Sequence, residues 1–331
     1  MWAVGCVAAV ALLVAVAFRV SPWPGALVIR AVFNRGGHKT LLALQRDIPA
    51  QPVTVLKDQR YGKDAHQLMD VYVPNSVIQT QQTLPVVVWT HGGAWLSGDK
   101  KDAAPYYSLL ASQGFVVASV DYSLAPQATY PTPLHQLNDA YAYLQTNAAR
   151  LHANAGNMVL AGDSAGAQLS SQMAAIITSP SYAKAVGIQP SLAAAHLRGV
   201  ALFCGIYKMQ GLTQPDATLP KIVSWGDDVT VWAFTGSRNK SGPRVRQAST
   251  YYYATKAFPA TFITGGNGDP LTNAQSVPFA AKLTSLGVPV TTLFYPKNHT
   301  PSLPHEYQFT LNDDGKQAFT ALTKFLTSTT Q

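Results

Sequence analysis

Charge is scarce in this sequence. Only 12% of its 331 residues are Asp, Glu, Lys or Arg, against 47% hydrophobic. Such a chain can bury a large core, which excludes intrinsic disorder. Cysteine is scarcer still. Cys6 lies in an N-terminal apolar stretch and Cys204 in the apolar run 200–204, so no disulfide between them is expected. Neither has the Cys or His spacing of a metal site, and no metal is expected. Basic runs are also missing. The net charge is +8, but only Arg238, Lys240, Arg244 and Arg246 gather, and Gly and Pro interrupt them. With no nucleic-acid motif beside them, a nucleic-acid partner is not expected. The sequence holds no internal repeat.

What is present begins with Trp2 to Phe18, a stretch without any charge. Its length is at the short edge of a membrane span. No Lys or Arg precedes it, unlike a secretory signal, whereas Arg19, Arg30, Arg35 and Lys39 follow it. Residues 1–19 therefore read as an uncleaved membrane anchor, a single N-terminal span with its C-terminal side in the cytoplasm. A cleaved signal on a secreted protein and a buried helix are the second and third readings. Residues 20–51, with Ser21-Pro22-Trp23-Pro24-Gly25 and Arg35-Gly36-Gly37, read as a connector containing a short helix.

Residues 52–331 read as one domain in which strands and helices alternate. The continuous apolar runs Pro85 to Thr90 and Phe115 to Val120 suit strands buried on both faces. The expected architecture is α/β, a mostly parallel sheet with helices on both faces. The first two strands form an antiparallel edge. Residues 208–257 break the rhythm and read as a cap-like insertion, whose Trp225 and Trp232, with Phe234 and the more distant Trp95, are candidate substrate-binding residues.

Ligands of such sheets bind beyond the carboxyl ends of the strands, and the chemically informative residues lie there. Gly162-Asp163-Ser164-Ala165-Gly166 sits between an apolar run and a helix pattern. The Gly-x-Ser-x-Gly spacing suits a sharp turn that presents Ser164 at a helix start, where backbone N–H groups favour negative charge. His91-Gly92-Gly93 follows another strand, and the amides of Gly92, Gly93 and Ala165 would form an oxyanion hole. Asp269, in Gly268-Asp269-Pro270, and His299 follow the next two strands. A general base must reach Ser164, and His299 is preferred to His305 because it lies nearer its strand end. The order Ser, Asp, His then matches Ser164, Asp269, His299.

Together with Asp121-Tyr122-Ser123-Leu124-Ala125-Pro126 and Tyr130-Pro131, these pieces resemble the α/β-hydrolase family, in particular its hormone-sensitive-lipase-like and kynurenine-formamidase-like esterases. The resemblance covers roughly residues 52–327. It implies a carboxylic ester hydrolase with Ser164 as nucleophile, His299 as base and Asp269 as orienting acid. It also implies a small-molecule ester substrate, no metal and no organic cofactor. Ala94 stands where the lipase-like branch has a third glycine, which leans toward the formamidase-like and small-esterase branch. Thr300-Pro301-Ser302 follows His299, where the family has an aromatic residue, so His305 stays open as the alternative base. An amidase or formamidase with the same triad is the alternative activity, and a non-catalytic binding protein is the remaining one.

Overall fold

The computed structural model describes residues 2–80, 82–213 and 220–331. The part of the expected cap at 214–219 lies outside the described residues. Eight strands form one sheet: β1 (Val53–Arg60), β2 (Leu68–Pro74), β3 (Leu84–Thr90), β4 (Val116–Val120), β5 (Ala153–Asp163), β6 (Leu197–Phe203), β7 (Ala260–Gly265) and β8 (Val290–Phe294). Their order is β1-β2-β4-β3-β5-β6-β7-β8. The β1–β2 and β2–β4 pairs are antiparallel and all others parallel. The expected parallel sheet with an antiparallel N-terminal edge is therefore present. β4 is buried along its whole length and β3 from Val86 onward. Their β-branched side chains pack well on a pleated surface covered from both sides.

The α-helices among the described residues are α1 (Trp2–Val20), α2 (Trp23–Asp47), α3 (Asn75–Thr80), α4 (Ala104–Ala111), α5 (Thr132–Thr146), α6 (Ala165–Thr178), α7 (Pro180–Val186), α8 (Lys221–Thr235), α9 (Pro243–Gln247), α10 (Val277–Ser285) and α11 (Asp313–Thr330). Two core clusters lie on opposite faces of the sheet. On one, Leu134, Leu137, Met173 and Ile176 pack against Val86 and Leu160. On the other, Leu110, Leu322 and Phe325 pack against Val87, Trp89 and Phe262.

The connector reading of residues 20–51 is corrected by the structure. Most of them, Trp23–Asp47, form α2, a single 25-residue helix with Pro22 at its N-cap and Pro24 in its first turn. Both prolines sit where a missing N–H costs nothing. Ala26, Ile29 and Leu44 are buried. The Arg30 guanidinium donates to the carbonyls of Leu96 and Ala125, at 2.5 and 2.7 Å. The helix is thus built into the domain. No single described helix is long and apolar enough to cross a membrane; only α1 and α2 together pass that test, and they are bent by 84°.

Deletion of residues 1–51 is accordingly expected to destabilise the protein far more than deletion of 1–19. Exposing what Ile29 and Leu44 cover costs about 1.5–3 kcal/mol for each side chain. A Tm drop on the order of 10 °C beyond that of the shorter deletion follows. Calorimetry of the two truncated proteins checks it, and equal Tm values would contradict the docked helix.

Candidate active site

Ser164 stands at the corner between β5 and α6. Its backbone is in a positive-φ conformation, φ 51° and ψ −119°, a strained state that persists only where surroundings impose it. The surroundings are visible. A Cβ at Gly166 would lie 1.9 Å from the Thr90 carbonyl oxygen, and one at Gly162 would lie 2.6 Å from the Gly166 carbonyl carbon. Only glycines allow strand and helix to approach so closely. The Ser164 amide donates to the Phe203 carbonyl at 2.8 Å, while its hydroxyl, without a partner among the described residues, faces a cavity of about 320 Å³.

Asp269 and His305 line the same cavity. Asp269 Oδ2 is 2.8 Å from His305 Nδ1, and Oδ1 accepts from the Leu271 amide at 2.9 Å. The loop bearing His305 is tied to the loop bearing Asp269. Gly268 N donates to Leu303 O at 2.9 Å and Leu303 N donates to Asn267 Oδ1 at 2.8 Å. A side chain at Gly266 would strike the Leu303 carbonyl at 2.2 Å. His299 is not part of this cluster. Its Nε2 is 3.0 Å from Asp314 Oδ1, beside the start of α11, and its ring lies against Tyr295. Nearness to the end of β8 was the wrong criterion, because the loop first runs to α11 and only then returns over the sheet. One signal in the sequence favoured His305: an aromatic residue, Tyr307, follows it two positions later.

Cys204 lies beneath this pair; one ligand-type atom from each of Cys204, Asp269 and His305 falls within 4.8 Å of the others. Burial pushes the thiol up to about 11, so it is neutral at physiological pH. Burial works against charge on His305, but the hydrogen bond to the Asp269 carboxylate favours it, and the imidazole is held above its ordinary value.

The oxyanion-hole assignment of Gly92 is corrected as well. Its amide donates to Asp163 Oδ2 at 2.8 Å, while Trp89 Nε1 donates to Oδ1 at 2.7 Å. The following residues Gly93, Ala94 and Trp95 all have positive φ, 95°, 56° and 59°, and turn the chain sharply. With the Gly92 amide engaged, the unbonded amides at this corner, among the described residues, are those of Gly93, Ala94 and Ala165. The buried His91 ring anchors the loop, with Nδ1 at 2.8 Å from the Gly92 carbonyl and a stack on Tyr122.

Asp163 also meets the Glu306 carboxyl, and the two share a hydrogen bond; burial first, and then Glu306, push Asp163 well above the usual carboxylate range. A raised carboxyl pKa gives stability that is complete at low pH and is lost as pH rises toward the native pKa. Glu306→Gln removes the opposing charge and is expected to shrink that loss. Its Tm should exceed that of the wild type at pH 8 by about 2 °C or more, with no gain at pH 4. Equal offsets at both values would contradict the shared proton.

The cap is made by α8 and α2. Val223, Ser224, Asp227 and Thr230 of α8, with Phe33 of α2 and Trp95, line the Ser164 cavity. Trp225 and Trp232, expected to bind substrate, lie on the opposite face of α8. Trp225 packs beside Phe18 and Gly25, and Trp232 under the Arg238 guanidinium. Positions 223, 227 and 230 share one helical stripe, and 225 and 232 belong to another. Phe234 stacks on buried Trp95 at 4.6 Å.

Comparison with known proteins places this geometry. The family model described as BD-FAE matches residues 69–283. Esterase LipQ of Mycobacterium tuberculosis is 24% identical over 297 residues, 88% of this chain and 64% of LipQ. Carboxylesterase NlhH of the same organism is 40% identical over 106 residues, 31% of this chain and 32% of NlhH. The chain thus spans less than two thirds of the length of the first curated relatives it matches. Esterase B from Lactobacillus rhamnosis superposes with a TM-score of 0.78 at 19% identity, over 93% of this chain and 96% of that one. That likeness establishes the fold as that of the α/β-hydrolases.

Proposed function

The chain belongs to the BD-FAE family, and on that premise we propose that it is a serine hydrolase that cleaves carboxylic esters through an acyl-enzyme. The observation that carries this reading is one cavity lined by Ser164, Asp269 and His305. Ser164 Oγ attacks the ester carbonyl and His305 takes its proton. Asp269, bonded to Nδ1, stabilises the imidazolium and leaves Nε2 as the nitrogen that takes the proton. The amides of Gly93, Ala94 and Ala165 receive the negative charge of the tetrahedral intermediate. The alcohol leaves with the proton from His305, and water repeats the sequence on the acyl-enzyme. No step calls on a metal or an organic cofactor.

The relatives' names, esterase and carboxylesterase, favour an ester over an amide, which would use the same residues. A panel of 4-nitrophenyl esters of graded acyl length, with a formanilide included, tests the reading. Ester turnover well above that of the formanilide is expected; formanilide as the preferred substrate would favour the amidase reading, and no turnover of either would contradict both.

Attachment to a membrane through α1 belongs to the same proposal. Val7, Leu12 and Leu13 are exposed at 69%, 66% and 68%, on a helix with Arg19 near its end. Such a helix is poorly matched to water on every side. The full chain should fractionate with membranes and resist a high-salt wash, and the chain without residues 1–19 should not. Recovery of full-length material in the soluble fraction would contradict attachment. A mature N-terminus near Phe18 would instead mark a cleaved signal.

A further inference from the structure

From the cavity lining we infer that the preferred esters carry a positively charged ammonium group, which Asp227 recognises. This rests on the ester-hydrolase reading above and names its substrate class.

Asp227 projects from α8 into the cavity that holds Ser164. Its neighbour Asp228 lies on the other side of the helix and is paired with Lys240. The Asp227 carboxylate has no hydrogen bond and no ion pair among the described residues. The other carboxylate in the lining among the described residues, Asp269, is committed to His305. Among the described residues the lining contains no lysine and no arginine, and its one basic side chain, His305, is paired with Asp269, although the chain as a whole carries a net charge of +8. An unpaired carboxylate is thus placed in a mostly apolar pocket with no lysine or arginine among the described residues to neutralise it.

A half-buried carboxylate without a partner is costly. Burial, and then Asp228, push Asp227 up to about 6, which still leaves it mainly ionised at neutral pH. The complement of such a pocket is a cation of modest hydration. Aromatic rings of Phe33 and Trp95 share the lining, and ring faces attract ammonium groups further. The same field opposes an ester that bears a second carboxylate.

The test compares two isosteric esters, butyrylcholine and 3,3-dimethylbutyl butyrate, which differ by the charge of one atom. For the wild type, kcat/KM is expected to favour the choline ester by about 10-fold or more, the range of a contact to a charged group. Asp227→Asn should collapse that ratio toward one, Asp227→Glu should keep most of it, and Asp228→Asn should leave it as in the wild type. A wild-type ratio near one, or a high ratio that survives in Asp227→Asn, overturns the inference while ester hydrolysis stands. If neither ester is hydrolysed and a serine-directed phosphonate does not react, the ester-hydrolase reading fails and the inference falls with it.

Discussion

Ser164→Ala is expected to lower kcat by about 10⁴-fold or more, leaving only the ~10³–10⁴-fold rate over water that binding and an oxyanion hole supply on their own. The fold should be untouched. The Ser164 hydroxyl makes no hydrogen bond among the described residues, so its loss leaves no buried partner unsatisfied. The strained corner is held by backbone, through the Ser164 amide and the close approach of Gly166 to Thr90, and alanine preserves both. Circular dichroism and Tm should match the wild type while ester turnover disappears. Near-normal turnover would remove the covalent mechanism.

His305→Ala should be nearly as damaging, because serine and base act as a unit whose effects are not additive. His299→Ala should leave kcat within a few-fold and cost about 1 kcal/mol of stability, from its bond to Asp314. The pH profile carries an independent mark. Only the neutral imidazole can accept the serine proton, so kcat/KM rises with pH through the His305 pKa. Against the opposing effect of burial, the Asp269 carboxylate helps to hold that pKa above 6.5, and the rise should be centred above that value. Asp269→Asn removes the charge that favours imidazolium. It should shift the midpoint to lower pH and also reduce kcat steeply, by about 10⁴-fold if the tautomer is lost. If His299→Ala were the more damaging variant, the base assignment would revert to His299.

These sites were unequally legible in the sequence. The buried strands could be read because a run such as Val86-Val87-Val88 has no other comfortable place. Ser164 could be read because the flanking glycines answer a local steric demand, and Asp269 because it lies in the short glycine-rich loop four residues past the end of β7. His305 could not be read from distance along the chain, since the path of residues 296–305 is set by packing against α11 and the Asn267 loop. Gly92 failed for a related reason. Two consecutive glycines announce a loop of exposed amides, but which amide turns toward Asp163 is decided by residues 71 positions away. The tryptophans of α8 stand in the insertion expected to cap the pocket, but a helix presents only one face to a pocket, and theirs is the other. Residues 20–51 looked like a connector because Pro22, Pro24 and Gly36-Gly37 are breakers in most contexts. Here both prolines start a helix, and the glycines sit inside it.

The central claim is that Ser164 is a nucleophile activated by His305. Mass spectrometry of the full chain after treatment with an alkyl 4-nitrophenyl phosphonate tests it most directly. The account predicts a single adduct per chain on the peptide containing Ser164, formed at least 100-fold more slowly in His305→Ala and at the wild-type rate within a few-fold in His299→Ala. No adduct, or an adduct confined to another residue, would contradict it.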